Sequence, residues 1–572
     1  MATGHVARVE SLEARSLLSA YFVSPSGSDS ADGLSPTTAF QSIRKVNSLD
    51  LEAGDKVLFE AGKVFTGNLL LSDFDSGTAA APVKVSSYTL KADGTVAEGG
   101  ARATIDAGGS YGILGLNVAG VEVSDLVVKG SGTQAPQSTS GIEFRNTLTT
   151  ATGGDVDLEY VRIRNVDVGY FGDVGIELTG GAAKSGFKDV RIEWVDVHDN
   201  TNAGIASLGL FNAAATGYAH QDVYVGHAKV YNNKGYAGSA NHSGDGIVLS
   251  DAQGVTIEYS EAFNNGENNT HVGGPVGIWV WDVDRALIQY NESHHNRTNS
   301  TADGGGFDLD GGVTNSVVQY NYSHDNDGAG YGIYQFQGAR AFRNNHVRYN
   351  LSVDDGRKNS YGAFDFWNGN GTNGIQDTYV YNNTVYVSPS TTTKVTYDRK
   401  GNPVTSTVTV GDPRAVRFIS GTVNCAVLNN NFYSAGGAML AQIDAKQTNL
   451  RMNGNNWFAA GAFSLKVFAK VYTSFSGYQA TGYDLNGSSI NPGFTTAGSK
   501  PTVGWINLVA PSATVASPWG GVLGGYKPTN AALQNRAIAE VWTYTGGITA
   551  ATTDFYGNAL PGSGKDVGLG EF

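Results

Sequence analysis

Three aspartates carry chemistry that their spacing makes specific. Asp308 and Asp310 lie in Gly306-Phe-Asp-Leu-Asp, and Asp365 lies in Gly362-Ala-Phe-Asp-Phe. Alternate residues of an extended strand point to opposite faces. Phe307 and Leu309 therefore face one side and the two Asp the other, while Phe364 and Phe366 oppose Asp365 and Trp367. Paired carboxyl groups on one face suit glycoside hydrolysis, where one protonates the leaving oxygen and the other serves as base or nucleophile. Same-face residues of one strand lie about 6.6 Å apart, and two steps between strands span roughly 9.6 Å. Inverting hydrolases leave about 6.5–9.5 Å between acid and base for a water. Like charges at such spacing also raise the pKa of one member. The acid is then either Asp308 or Asp310, with Asp365 as partner base.

Aromatic residues share that face. Stacking the strands by their leading glycines gives one outward column of Glu177, Ala206, Val248, Trp279, Asp308, Tyr334 and Asp365. The next holds Thr179, Ser250, Trp281, Asp310, Phe336 and Trp367. An exposed aromatic strip marks a binding surface, and flat rings beside carboxylates suit sugars, which offer CH groups and hydroxyls together. Trp279, Trp281, Tyr334, Phe336 and Trp367 are the expected substrate contacts. His294 and His324, at equivalent repeat positions with His198 further back, are candidates for the same role. Asp303, Asp325 and Asp327, set among glycines, could gather oxygens around Ca²⁺. Arg297, Arg340 and Arg357 lie after strands and could meet an acidic sugar.

The elements that position these residues repeat about every thirty residues. Gly175-Ile-Glu-Leu, Gly204-Ile-Ala-Ser, Gly246-Ile-Val-Leu, Gly277-Ile-Trp-Val, Gly306-Phe-Asp-Leu and Gly332-Ile-Tyr-Gln each open a strand. A second strand follows and ends on Asn200, Asn233, Asn265, Asn296 and Asn326. A period of this size, built of short strands without helical stretches, reads as a β-solenoid in which each coil buries its apolar side only on its neighbours. The expected fold is all-β: a right-handed, single-stranded parallel β-helix with short caps. Asn at one place in successive coils can ladder amide to amide, or hold left-handed turns.

The coils run from about 111 to 470. Residues 1–20 read as an export leader or N-terminal cap, 21–110 as N-terminal strands and first coils, and 471–572 as an irregular capping region with a helix near Asn530–Trp542. A β-hairpin around Lys400-Gly401-Asn402-Pro403 projects at 394–410, just after the Asp365 coil. There are 77 glycines but only 14 prolines, which excludes a proline-rich disordered chain. The net charge of −14 argues against a nucleic-acid partner, which needs a basic face. No apolar run is long enough to span a membrane. The single cysteine, Cys425, excludes an intrachain disulfide, and a stacked helix needs none.

Several stretches resemble known proteins. Val9-Glu-Ser-Leu-Glu-Ala-Arg-Ser-Leu-Leu-Ser-Ala20 resembles the short N-terminal motif of large exported planctomycete proteins. Phe22 through Pro36, Ala53-Gly-Asp-Lys-Val57 and the tail from Thr553 to Phe572 resemble secreted right-handed parallel β-helix carbohydrate enzymes of the polygalacturonase and pectate lyase superfamily. Ala302-Asp-Gly304 through Gly328 is similar to the central coils of a pectate lyase family, which implies Ca²⁺ at Asp303, Asp325 and Asp327. Asp310 stands where that family has its catalytic Lys. The carboxylate count is similar to that of polygalacturonases, although the Gly-His-Gly and Arg-x-Lys motifs are missing.

The expected function is an extracellular or periplasmic glycoside hydrolase that degrades polysaccharide, monomeric and without an obligatory cofactor. The alternatives are a Ca²⁺-dependent polysaccharide lyase or uronan C5-epimerase, and a non-catalytic carbohydrate-binding surface protein.

Overall fold

A computed structural model describes residues 18–132, 138–369, 374–397, 400, 402–512, 515–540 and 542–571. The N-terminal motif lies, through residue 17, outside the described residues. Parallel pairing runs from Ala20–Val23 to Leu465–Val467. Each central coil gives one strand to each of three sheets, and each strand pairs with the equivalent strand one coil on. Crossovers between parallel strands are right-handed, and the fold is a right-handed parallel β-helix. No helix among the described residues is long and apolar enough to cross a membrane.

The interior is built of columns. Ile176, Ile205, Ile247, Ile278, Phe307, Tyr331, Phe364 and Val416 follow one another in register, all buried. Phe307, Tyr331 and Phe364 stack at centroid spacings of 5.1 and 5.2 Å. Each such side chain contributes about 1.5–3 kcal/mol by burial, but only if the next coil covers it. That dependence makes the helix a single cooperative stack.

Two amide ladders line the corners. Asn200, Asn233, Asn265, Asn296 and Asn326 donate in turn from Nδ2 to the next Oδ1, and the series ends on Asp355. A second, unanticipated ladder runs Asn291, Asn321, Asn350, Asn383, Asn430, Asn455 and ends on Asp484. The ladder residues are fully buried. The left-handed backbone belongs instead to the preceding residues, such as Asn232, Asn264 and Asp325.

The strands Ser390–Tyr397 and Pro403–Gly411 form an antiparallel hairpin outside the helix. Its tip includes residues 398, 399 and 401, outside those described. At the C-terminal end, the strands Leu465–Val467 and Lys470–Tyr472 fold back antiparallel, and the α-helix Phe475–Gln479 buries Tyr478. The segment beyond residue 490 lies along the flank. Val503, Leu508, Trp519, Tyr526 and Phe555 pack on Tyr259, Tyr290, Tyr320, Tyr349 and Leu351. The helix expected at Asn530–Trp542 is replaced by a 3₁₀ turn, Ala531–Leu533. Leu533 is buried, and Ile538 and Trp542 pack on the flank around Tyr381 and Leu428, at spacings that impose no helical period.

Candidate active site

The aspartates of the strand Gly305–Asp310 form the floor of a pocket of about 740 Å³. Phe307 and Leu309 anchor the strand in the core, which turns Asp308 and Asp310 outward. Trp279 pairs with Asp308 and Trp281 with Asp310. One coil on, Asp308 pairs with Gly332, and Gly332 with Asp365. Aligning the coils on their leading glycines placed Tyr334 beside Asp308. The true register aligns Phe307 with Tyr331, so Tyr334 sits two residues further along and pairs with Trp367. The gap at Gly332 leaves Asp308 its place, because a Cβ there would approach Asp308 Oδ1 to 2.8 Å.

Asp308 is 5% exposed, and its Oδ1 is buried without a hydrogen-bond partner. Burial, then the neighbouring charges of Asp310, Asp303 and Asp365, hold its pKa well above the usual carboxylate value. Asp310 is half-buried. Burial pushes it up to about 6, with the Gly311 amide and His242 opposing. Asp303, just before the strand, also lines the pocket. The Gly274 amide donates to its Oδ2 at 2.6 Å and the Tyr361 hydroxyl to its Oδ1 at 3.3 Å. Burial outweighs these donors, and with Asp310 nearby Asp303 is pushed up to about 7. Three carboxyl groups, each with its pKa raised chiefly by burial, thus share one pocket.

Asp365 corrects an expectation. It lines the pocket but is fully buried, and Arg417 grips it with Nε on Oδ1 and with NH2 2.9 Å from Oδ2. The Gly362 amide also donates to Oδ1 at 2.9 Å. Both of its oxygens are thus engaged within the protein. Arg417 lies one strand beyond, 52 residues away across the hairpin, and stacks on Tyr361 at 4.5 Å.

The walls come from long loops and aromatic rings. Phe211, in the loop before His220, packs on Trp281 at 5.6 Å and on Phe336 at 5.9 Å. Tyr334 meets Trp367 edge-on at 6.4 Å, and Trp367 is 39% exposed. Trp279 is buried rather than exposed, because the loops around His242 and Gly274 cover it. Its Nε1 donates to Asp245 Oδ1 at 3.0 Å. His242, missed in the sequence, lines the pocket, with Nδ1 2.6 Å from Asp245 Oδ2. Burial alone would lower its pKa, but Asp245 outweighs burial and raises it. The short His242–Asp245 spacing was the signal available.

Other candidates lie elsewhere. His294 and His324 belong to the third sheet, beneath the C-terminal segment, and do not line the pocket. Asp303, Asp325 and Asp327 do not converge: Asp325 pairs with Lys500 and Asp327 with Arg297. Among the described residues, the metal-capable groups are His294, His295 and His324, and Glu261, Glu292 and His294. Arg297, Arg340 and Arg357 are paired with Asp327, Asp282 and Asp354, away from the pocket.

No protein-family model matches the chain. No curated protein matches it either. Solved structures of carbohydrate-active enzymes are similar to it. A GH136 lacto-N-biosidase from Eubacterium ramulus shares 21% identity over 65% of this chain and 64% of its own, with a TM-score of 0.48. A pectate lyase shares 14% over 96% of each chain, with a TM-score of 0.44. A periplasmic alginate epimerase shares 14% over 70% of this chain and 77% of its own, with a TM-score of 0.33. The chain thus spans 64% of the length of the lacto-N-biosidase.

Proposed function

We propose that the protein is an exported glycoside hydrolase acting on a neutral polysaccharide or oligosaccharide. One observation carries this reading: Asp303, Asp308 and Asp310 gather in an aromatic-walled pocket, each with its pKa raised by burial. Environments that push neighbouring carboxyl groups apart assign acid and base roles. Asp310, at about 6, is the first to ionise and serves as base or nucleophile. Asp303, half-buried and at about 7, holds a proton near neutral pH and can donate it to the leaving oxygen. Asp308, whose pKa is raised well above the usual carboxylate value by burial, offers its unpartnered oxygen to a sugar hydroxyl. The guanidinium in the pocket lining is engaged by Asp365, which favours a neutral sugar over a uronate.

A polysaccharide panel with matched aryl glycosides tests the assignment. Asp303→Asn should spare a good leaving group that needs no protonation. Asp310→Asn should lose activity on both substrates and recover with azide. Full activity of both variants would sink the reading. A Ca²⁺-dependent lyase or epimerase is the second reading, favoured by the gathering of Asp303, Asp308 and Asp310 in one pocket, since oxygen ligands suit that ion. It requires unsaturated products or uronate inversion, either one lost on chelation. Glycan retention without depolymerisation would instead identify a binding protein.

A further inference from the structure

His294 and His324 pair in register on the third sheet, their rings stacked at 4.7 Å. Each presents Nε2 to a buried carboxylate, His294 to Glu261 at 3.1 Å and His324 to Glu292 at 3.2 Å. The carboxylates are held in turn by the C-terminal segment. The Val503 and Gly504 amides donate to Glu292, and the Trp505 amide to Glu261. Both rings are thereby oriented, and both turn Nδ1 the same way. There His295 Nδ1 lies 2.7 Å from His294 Nδ1, and Asp325 Oδ2 lies 3.1 Å from His324 Nδ1. The ligand atoms of the three histidines all lie within 4.8 Å of one another.

Imidazoles held from behind by carboxylates are the arrangement that orients metal ligands. Three imidazoles suit zinc and its neighbours rather than calcium. The backbone supplies an independent observation. His295 has φ +54° in the left-handed region. The equivalent residues of neighbouring coils are Asp199, Asn232, Asn264, Asp325 and Asp354, all left-handed and all of the types that tolerate it locally. A histidine replaces them in the coil whose neighbouring ring nitrogens it meets.

We propose that His294, His295 and His324 bind one divalent transition cation of zinc-like character, with a fourth position left to water. The ion would join two coils beneath the flanking segment, whose Lys500 pairs with Asp325 Oδ1 at 2.6 Å. These residues are separate from the pocket lining, so the site is a staple rather than a part of the proposed chemistry.

The full chain, stripped with a chelator, is titrated with zinc by calorimetry and with cobalt(II) by visible absorption. The expected result is one equivalent bound, a tetrahedral cobalt spectrum and a higher thermal midpoint. His295→Asn installs the residue found at Asn232 and Asn264, so it should fold normally and lose tight binding. Should it fold poorly, His324→Gln serves the same purpose. No stoichiometric binding by the wild-type chain, or unchanged binding in a folded variant, overturns the proposal.

Discussion

Asp308 and Asp365 stand in one column of the first sheet with Gly332 between them, so a single missing side chain separates two buried carboxyl groups. A Cβ at Gly332 would lie 2.8 Å from Asp308 Oδ1 and 2.7 Å from the Tyr334 ring. Its backbone is ordinary for a strand, so Gly332→Ala should fold at a cost of about 1–3 kcal/mol from overpacking. Asp308 and Tyr334 must give way. We expect at least a tenfold loss of kcat/KM on whichever glycan the enzyme accepts, with an unchanged circular dichroism spectrum.

The separated carboxyl groups predict a narrow activity profile. With Asp310 ionising near 6 and Asp303 near 7, kcat/KM should peak between those values and fall on either side. Removing either group should cost about 10²–10⁴ in rate. Asp310→Asn should also remove the acid limb, which a merely structural loss would leave in place.

The same groups make stability depend on pH, with a definite sign. Their folded pKa values lie above the unfolded value of about 3.9. Their contribution is fully present below that value and is lost as pH rises through 6 to 7 and beyond. Asp308→Asn removes the penalty of ionising a buried group. Its thermal midpoint should exceed that of the wild type by more at pH 8 than at pH 5. Equal gains at both would show that Asp308 is not titrating.

Arg417 and Asp365 predict the opposite behaviour. Arg417→Gln leaves a fully buried carboxylate without its partner, which costs about 3–5 kcal/mol. Asp365→Asn together with Arg417→Gln should recover most of that loss by denaturant unfolding, because neither charge is stranded.

How much of this was legible follows from the range of each interaction. The phase of Gly306-Phe-Asp-Leu-Asp310 depends on adjacent residues, and the inward Phe307 and outward Asp308 followed from it. Register between coils depends on the length of the turns. Aligning Gly332 with Gly306 slipped the coil by two residues, leaving the phase intact and the neighbours wrong. Arg417 lay beyond a hairpin, and no local pattern tied it to Asp365. Burial of the strip depends on the loops around Phe211, His242 and Gly274, whose course no periodicity records. The repeat makes His294 and His324 equivalent, but Val503 and Gly504, whose amides hold Glu292, lie more than two hundred residues further along the chain.

The amide ladders predict an asymmetry between their middle and their end. Asn326 donates from Nδ2 to Asp355 Oδ1 and the Ser293 carbonyl, with Ser323 Oγ also 3.1 Å away, while its own Oδ1 accepts from Asn296. Asn326→Asp would set a carboxylate oxygen against the Ser293 carbonyl and Asp355, with no donor to give. Stranding these buried groups costs about 1–3 kcal/mol each, so the variant should unfold at markedly lower denaturant. Asp355 needs only to accept, from Asn326 on one oxygen and from Ser352 Oγ on the other. Burial pushes it up to about 6, so its contribution is lost as pH rises through that value. Asp355→Asn keeps the oxygen that Asn326 requires, and Ser352 can reverse its hydroxyl to accept from the new amide. It should be neutral at pH 5 and stabilising at pH 8. Equal damage from the two substitutions would mean that the ladder is held by packing rather than by its direction of donation.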